Sequence, residues 1–163
     1  MAIYRGATVT RHRLMFLDFD GVLHPYPPYV GRQHLCWLPH VEALVLPHAD
    51  VRVVIHSSWR YEYSVDLLRE LLGQLGPRLL GVTPLGQRYK SITEFLSHGD
   101  AISDYRILDD MAEEFPQDPA PPELILCTGR TGVSAPRIRA ALRQWLDATR
   151  PSRTGPGNSR GTP

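Results

Sequence analysis

With 163 residues and 42% apolar side chains, the chain can bury one sizeable core and leaves no comfortable room for a second domain. A formal charge of +1 and a pI near 7.9 carry no argument, as bulk properties, for or against a nucleic-acid or membrane partner. Two distant cysteines, Cys36 and Cys127, exclude a disulfide framework or a zinc motif, and no apolar run approaches the roughly 20 residues that span a bilayer.

Residues 1–10 are expected to be a flexible start, and MAIYRGATVTRHR has neither the apolar stretch nor the cleavage site of a secretory signal. The expected setting is therefore soluble, reduced and cytoplasmic, without a membrane partner. Leu14 to Leu17 form a short apolar run that reads as a strand buried on both faces. It ends in Asp18, Phe19, Asp20 and Gly21. Residues two apart on a strand project to one side, so Asp18 and Asp20 are expected to crowd like charges unless a cation or a shared proton relieves them.

The loop HPYPPYVGRQHLCW follows, then a short helix from Leu38 to Leu46 stopped by Pro47. DVRVVIHSS reads as a second strand, and Val65, Leu68, Leu71, Leu72 and Leu75 recur at helical spacing. RLLGVTP is a third short strand. SITEFLSHG is read as a helix with Ser91 as N-cap and Glu94 as its capping-box partner. DYRILDD and ELILCTG are two further strands. The last helix places Ile138, Ala141, Leu142, Trp145 and Leu146 on one face. From Pro136 onward six arginines face a single acid, Asp147, and residues 149–163 read as a disordered basic tail.

Strands alternating with helices predict one α/β domain over 11–148, doubly wound, with a mostly parallel sheet and helices on both faces. Ligands of such folds sit at the carboxyl ends of the strands. Four polar clusters fall there: Asp18 and Asp20; Ser57 and Ser58, followed by Trp59 and Arg60; Arg88 and Lys90; and Asp109 and Asp110. Singly, each has a plain structural explanation as a cap, a turn or a surface charge. Lys90 is the single lysine among 18 lysine and arginine residues, which singles it out, with Arg88 as its competitor. Together the carboxylates offer hard oxygen ligands for Mg²⁺, and a hydroxyl and a cation can hold phosphate oxygens. GxxxxGK and GxGxxG loops are both absent.

DFDGVL resembles the first motif of the haloacid dehalogenase superfamily, and the hydroxyl, cation and acidic pair follow in that superfamily's order. FLDFDGVLHP, SSWR and ILDD together also resemble the small domains of that superfamily associated with RNA-repair proteins. The resemblance implies a Rossmann-like phosphatase without a separate cap domain, since neither gap between motifs is long enough to hold one. It implies Asp18 as nucleophile forming an aspartyl-phosphate, Asp20 as acid and base, and Ser57 and Lys90 on the phosphoryl oxygens. Mg²⁺ would be held by Asp18, Asp20 through its carbonyl, and Asp110, with Asp109 supporting. Asp18 is expected to raise the Asp20 carboxyl. Gly21, His24, Ser58, Arg60 and Arg88 are candidates for touching substrate. His56 stands where the superfamily usually has an apolar residue, which leaves Ser57 and Ser58 both open as the functional hydroxyl.

The implied activity is Mg²⁺-dependent hydrolysis of a phosphomonoester, with an open site suited to a large substrate such as a nucleic-acid end. Alternatives are a phosphatase for nucleotides or sugar phosphates and a non-catalytic binding module of the same fold. A receiver-type signalling domain is disfavoured because its acidic pair precedes its phosphorylated aspartate. The oligomeric state is left open.

Overall fold

The five apolar runs pair as one sheet in the computed structural model, which describes residues 11–28, 34–99 and 101–148. The strands are β1 (His12–Leu17), β2 (Val51–Ile55), β3 (Leu79–Val82), β4 (Ile102–Asp109) and β5 (Leu124–Leu126). All neighbours are parallel, in the order β3-β2-β1-β4-β5. Parallel neighbours need crossovers, and α1 (Leu38–Val45), α2 (Val65–Leu71) and α3 (Arg88–Ser97) lie in the first three, while α4 (Pro136–Ala148) follows β5. The sequence-level expectation of a doubly wound α/β fold is met. Among the described residues no additional domain interrupts it. The expectations for residues 1–10 and 149–163 lie outside the described residues.

Period-two alternation divides the core between the two sheet faces. Met15 and Leu17 of β1 join Val53 and Ile55 of β2 under α1, α2 and α4, where Val41, Leu68, Leu142 and Trp145 complete the larger cluster. Leu14, Phe16, Val54 and Ile107 face the other way, onto Ile92 and Phe95 of α3. Phe16 is fully buried and meets Phe95 and Tyr105 edge-on at 5.8 and 6.0 Å. Burying a side chain of this size stabilises by about 1.5–3 kcal/mol. β1 therefore reads as a continuous apolar run because both of its faces are covered.

Two helices depart from their expected bounds. α2 stops at Leu71, and the chain tightens into a 3₁₀ turn at Gly73–Arg78 that contains Pro77, which has no N–H to donate. Leu72 and Leu75 remain fully buried through that turn. α3 begins four residues earlier than the Ser91 cap predicts. Its N-cap is Gln87, whose side chain accepts the Lys90 N–H at 2.7 Å. Ser91 lies inside the helix and donates to the Arg88 carbonyl at 2.8 Å, so the Ser91–Glu94 capping box is not formed. The longer helix carries Arg88 on its first turn, directed at the sheet.

Among the described residues no helix is long and apolar enough to cross a membrane.

Candidate active site

β1 has β2 on one side and β4 on the other, so the winding reverses beside it, where ligand crevices form in open α/β sheets. Asp18 is the first residue beyond β1, and its N–H still donates to the Leu108 carbonyl of β4 at 3.1 Å. The ladder thus holds the backbone to the residue whose carboxylate matters. Asp18 is fully buried. Its Oδ1 accepts the Phe19 N–H at 2.8 Å and its Oδ2 accepts from Arg88 Nη1 at 2.5 Å.

Asp109 ends β4 and is also fully buried. Its Oδ2 accepts from Arg88 Nη1 and from His56 Nε2, both at 2.7 Å, while Oδ1 accepts the Met111 N–H at 2.8 Å. Asp110 is half-buried, and its carboxylate takes only its own backbone N–H among the described residues. Backbone without side chains makes room for it. A Cβ on Gly21, whose φ is +70°, would lie 2.0 Å from Asp110 Oδ2, and one on Gly129 would lie 2.9 Å from it. Asp18, Asp109 and Asp110 each offer an oxygen, all within 4.8 Å of one another.

Three carboxylates around one guanidinium leave an excess of negative charge. Burial and then the Asp109 charge push Asp18 upward, while burial and then Asp18 and Asp109 push Asp110 up to about 6. Burial also acts to raise Asp109, but the His56 hydrogen bond and the charges of His56 and Arg88 outweigh it and hold that group low. Burial opposes the charge on Arg88, yet Asp18 and Asp109 more than reverse that and raise it. A hard, all-oxygen donor set with surplus charge and one carboxylate lacking a cationic partner fits Mg²⁺.

The expected crowding of Asp18 with Asp20 does not occur. Strand pairing ends at Leu17, and the chain turns at Gly21, with the Gly21 N–H donating to the His24 carbonyl at 2.9 Å. The Asp20 carboxylate instead accepts from His24 Nε2 at 2.8 Å and from Trp59 Nε1 at 3.0 Å. Leu35 N–H donates to His24 Nδ1 at 3.2 Å, so the ring proton sits on Nε2. The His24 hydrogen bond is the main reason that Asp20 lies below the usual carboxylate range, which corrects the expectation that Asp18 would raise it. The like-charge cost falls on Asp18, Asp109 and Asp110 instead.

The remaining candidates separate clearly. Ser57 is fully buried and caps the 3₁₀ turn Ser58–Tyr61 by accepting the Trp59 N–H at 3.4 Å, whereas Ser58 is exposed. Arg88 occupies the place at the carboxylates expected of Lys90. Lys90 is exposed, because a residue two positions further along α3 faces away from the sheet. Arg60, expected to touch substrate, is buried and spends its donors on the carbonyls of His56, Ser57, Pro84 and Gly86. It ties two loops together. A cleft of about 410 Å³ opens beside Arg88, lined by Ser58, Tyr61, Gln87 and Glu114 among others.

Two residues escaped the sequence reading as parts of the site, His56 as the partner of Asp109 and Gly129 as the space for Asp110, while Trp59, already in the cluster that follows β2, is the donor to Asp20. A histidine ending the otherwise apolar run VRVVI was the one visible signal among them.

No curated protein and no solved structure matches the chain. A family model described as the HAD domain in Swiss Army Knife RNA repair proteins matches residues 14–138, from β1 into α4. HAD denotes the haloacid dehalogenase superfamily, a superfamily of phosphatase-type hydrolases that generally use Mg²⁺, and Asp18, Asp109 and Asp110 all lie within the matched residues. With a parallel sheet that carries Asp18 and Asp109 at adjacent strand ends and a match over most of its length, the chain belongs to the family of HAD domains found in Swiss Army Knife RNA repair proteins.

Proposed function

We propose that this domain is a Mg²⁺-dependent phosphomonoester hydrolase that works through an aspartyl-phosphate on Asp18. The observation that carries the reading is the buried Asp18 carboxylate, held at both oxygens by the Phe19 N–H and Arg88 beside two further carboxylates. A nucleophile fixed in this way loses little orientational freedom when phosphorus arrives.

A carboxylate oxygen of Asp18 forms the new bond to phosphorus as the ester oxygen leaves with the bonding pair. Asp20, held ionised in the free site by His24 and Trp59, would take the proton of a bound monoanionic phosphomonoester and pass it to that oxygen, and would then take one from the water that attacks phosphorus and releases phosphate, regenerating Asp18. His24 and Trp59 hold Asp20 for both tasks. Arg88 offsets the charge of Asp18 as substrate approaches, and Ser57 and Ser58 supply hydroxyls at the end of β2. Asp18, Asp110 and the Asp20 carbonyl would hold Mg²⁺, with Asp109 supporting; when bound, the ion would neutralise charge on the phosphoryl oxygens.

The substrate class we favour is a phosphorylated nucleic-acid end. The family description and a site with no additional domain over it among the described residues both support a large substrate. The test is phosphate release from 3′- and 5′-phosphorylated oligonucleotides beside nucleotides and sugar phosphates, with and without Mg²⁺. Mg²⁺-dependent release, fastest on the oligonucleotides, is expected. Turnover confined to small esters would replace the substrate class, and no turnover on any ester would leave a binding module.

A further inference from the structure

Asp20 is not alone at its side of the site. Trp59, whose indole N–H holds Asp20 Oδ2, meets four other rings: Phe19 at 5.2 Å, Tyr63 at 5.3 Å, His34 at 5.5 Å and His24 at 5.7 Å between centroids. The inner members, Phe19 and His24, are buried. The outer members are not: Tyr63 is 38% exposed, His34 is exposed and Trp59 is half-buried. The cluster therefore runs outward from the acid to aromatic side chains that solvent reaches.

We propose that Trp59, His34 and Tyr63 form the leaving-group wall of the site and select phosphomonoesters whose leaving group carries a nucleobase. This rests on the reading of Asp20 as the residue that protonates the leaving oxygen, because that role places the leaving group beside the ring that holds Asp20. Aromatic faces stack on any base, so such a wall recognises nucleotides without reading sequence. A sugar phosphate presents no π-face and gains nothing from it. Trp59 also links the two functions, since the ring that would stack on the base is the one that orients the acid.

The test is calorimetric binding of adenosine 5′-monophosphate and ribose 5-phosphate, which share the same scissile ester, to full-length Asp18→Asn protein in Mg²⁺. Adenosine monophosphate is expected to bind about tenfold more tightly. Adding Tyr63→Ala or Trp59→Leu should reduce the difference below about twofold. Should Trp59→Leu fail to fold, Tyr63→Ala carries the test alone, because its ring is partly in solvent. Equal affinities, no binding of either ester, or a preference that survives the substitutions would overturn the wall. Turnover by the unsubstituted protein is measured in parallel. Base preference without hydrolysis removes the hydrolase and keeps the wall, and hydrolysis without base preference does the reverse.

Discussion

Arg88 Nη1 lies 2.5 Å from Asp18 Oδ2, a charge-assisted hydrogen bond between a nearly covered guanidinium and a fully buried carboxylate. The cation of this site is thus an arginine on the first turn of α3, and the chain's single lysine, two residues on, points to solvent. Arg88→Ala is expected to lower kcat/KM by about 10²–10³, the usual effect of removing a preorganised charged donor. Lys90→Ala should change it less than about twofold. Steady-state kinetics on the two variants decide between them, and the reverse order would return the role to Lys90.

Asp110 rises from the ordinary 3.8 to about 6, so the fold favours its protonated form. Below about pH 4 both folded and unfolded states hold that proton and the group contributes nothing. Between about 4 and 6 the folded state keeps a proton that the unfolded state has released, and stability falls as pH rises; above about 6 the loss is complete. In chelator, the Tm of the unsubstituted protein should fall relative to Asp110→Asn across that window and run parallel to it above. Mg²⁺ should raise the Tm more at pH 7 than at pH 5, and should do so only with Asp110 present.

His56 donates to Asp109 from a site with no solvent exposure, and its Nδ1 is buried without a partner among the described residues. His56→Leu removes the donor and leaves the carboxylate behind. A loss of about 2 kcal/mol in denaturant unfolding is expected at neutral pH. The deficit should shrink as pH falls, because Asp109 is held low in the fold and its contribution disappears once it is protonated. His56→Gln, which can still donate, should recover part of it.

Gly21 has two reasons to stay a glycine: its φ of +70° and the Asp110 oxygen that a Cβ would meet at 2.0 Å. Gly21→Ala is expected to destabilise by about 1–3 kcal/mol and to weaken Mg²⁺ binding more than tenfold, as Asp110 is displaced. Mg²⁺ titration followed by calorimetry reads the second effect. Unchanged Mg²⁺ affinity would separate Asp110 from the metal.

The five strands and the four polar clusters were legible because a sheet buried on both faces forces apolar runs, and the acids stand out at their ends. Asp18 and Asp109 needed no structure to be noticed. What local pattern did not show was side-chain direction. Asp20 turns toward His24 and Trp59 because pairing ends at Leu17, and the choice between Arg88 and Lys90 depends on where α3 starts. Ser91 and Glu94 fit a capping box in sequence, but the Gln87 side chain takes the cap and moves that start by four residues. Trp59 and Gly129 reach the site from 39 and 19 positions beyond Asp20 and Asp110, a relation that no local spacing encodes.

The central claim is that Asp18 carries the phosphoryl group. Rapid acid quenching during turnover of a phosphorylated oligonucleotide, followed by peptide mass spectrometry, tests it directly. The account predicts that the peptide containing Asp18 gains the mass of one phosphoryl group, and that Asp18→Asn, while folded, shows neither that adduct nor phosphate release. Undiminished turnover by Asp18→Asn, or a phosphoryl group on another residue, would contradict it.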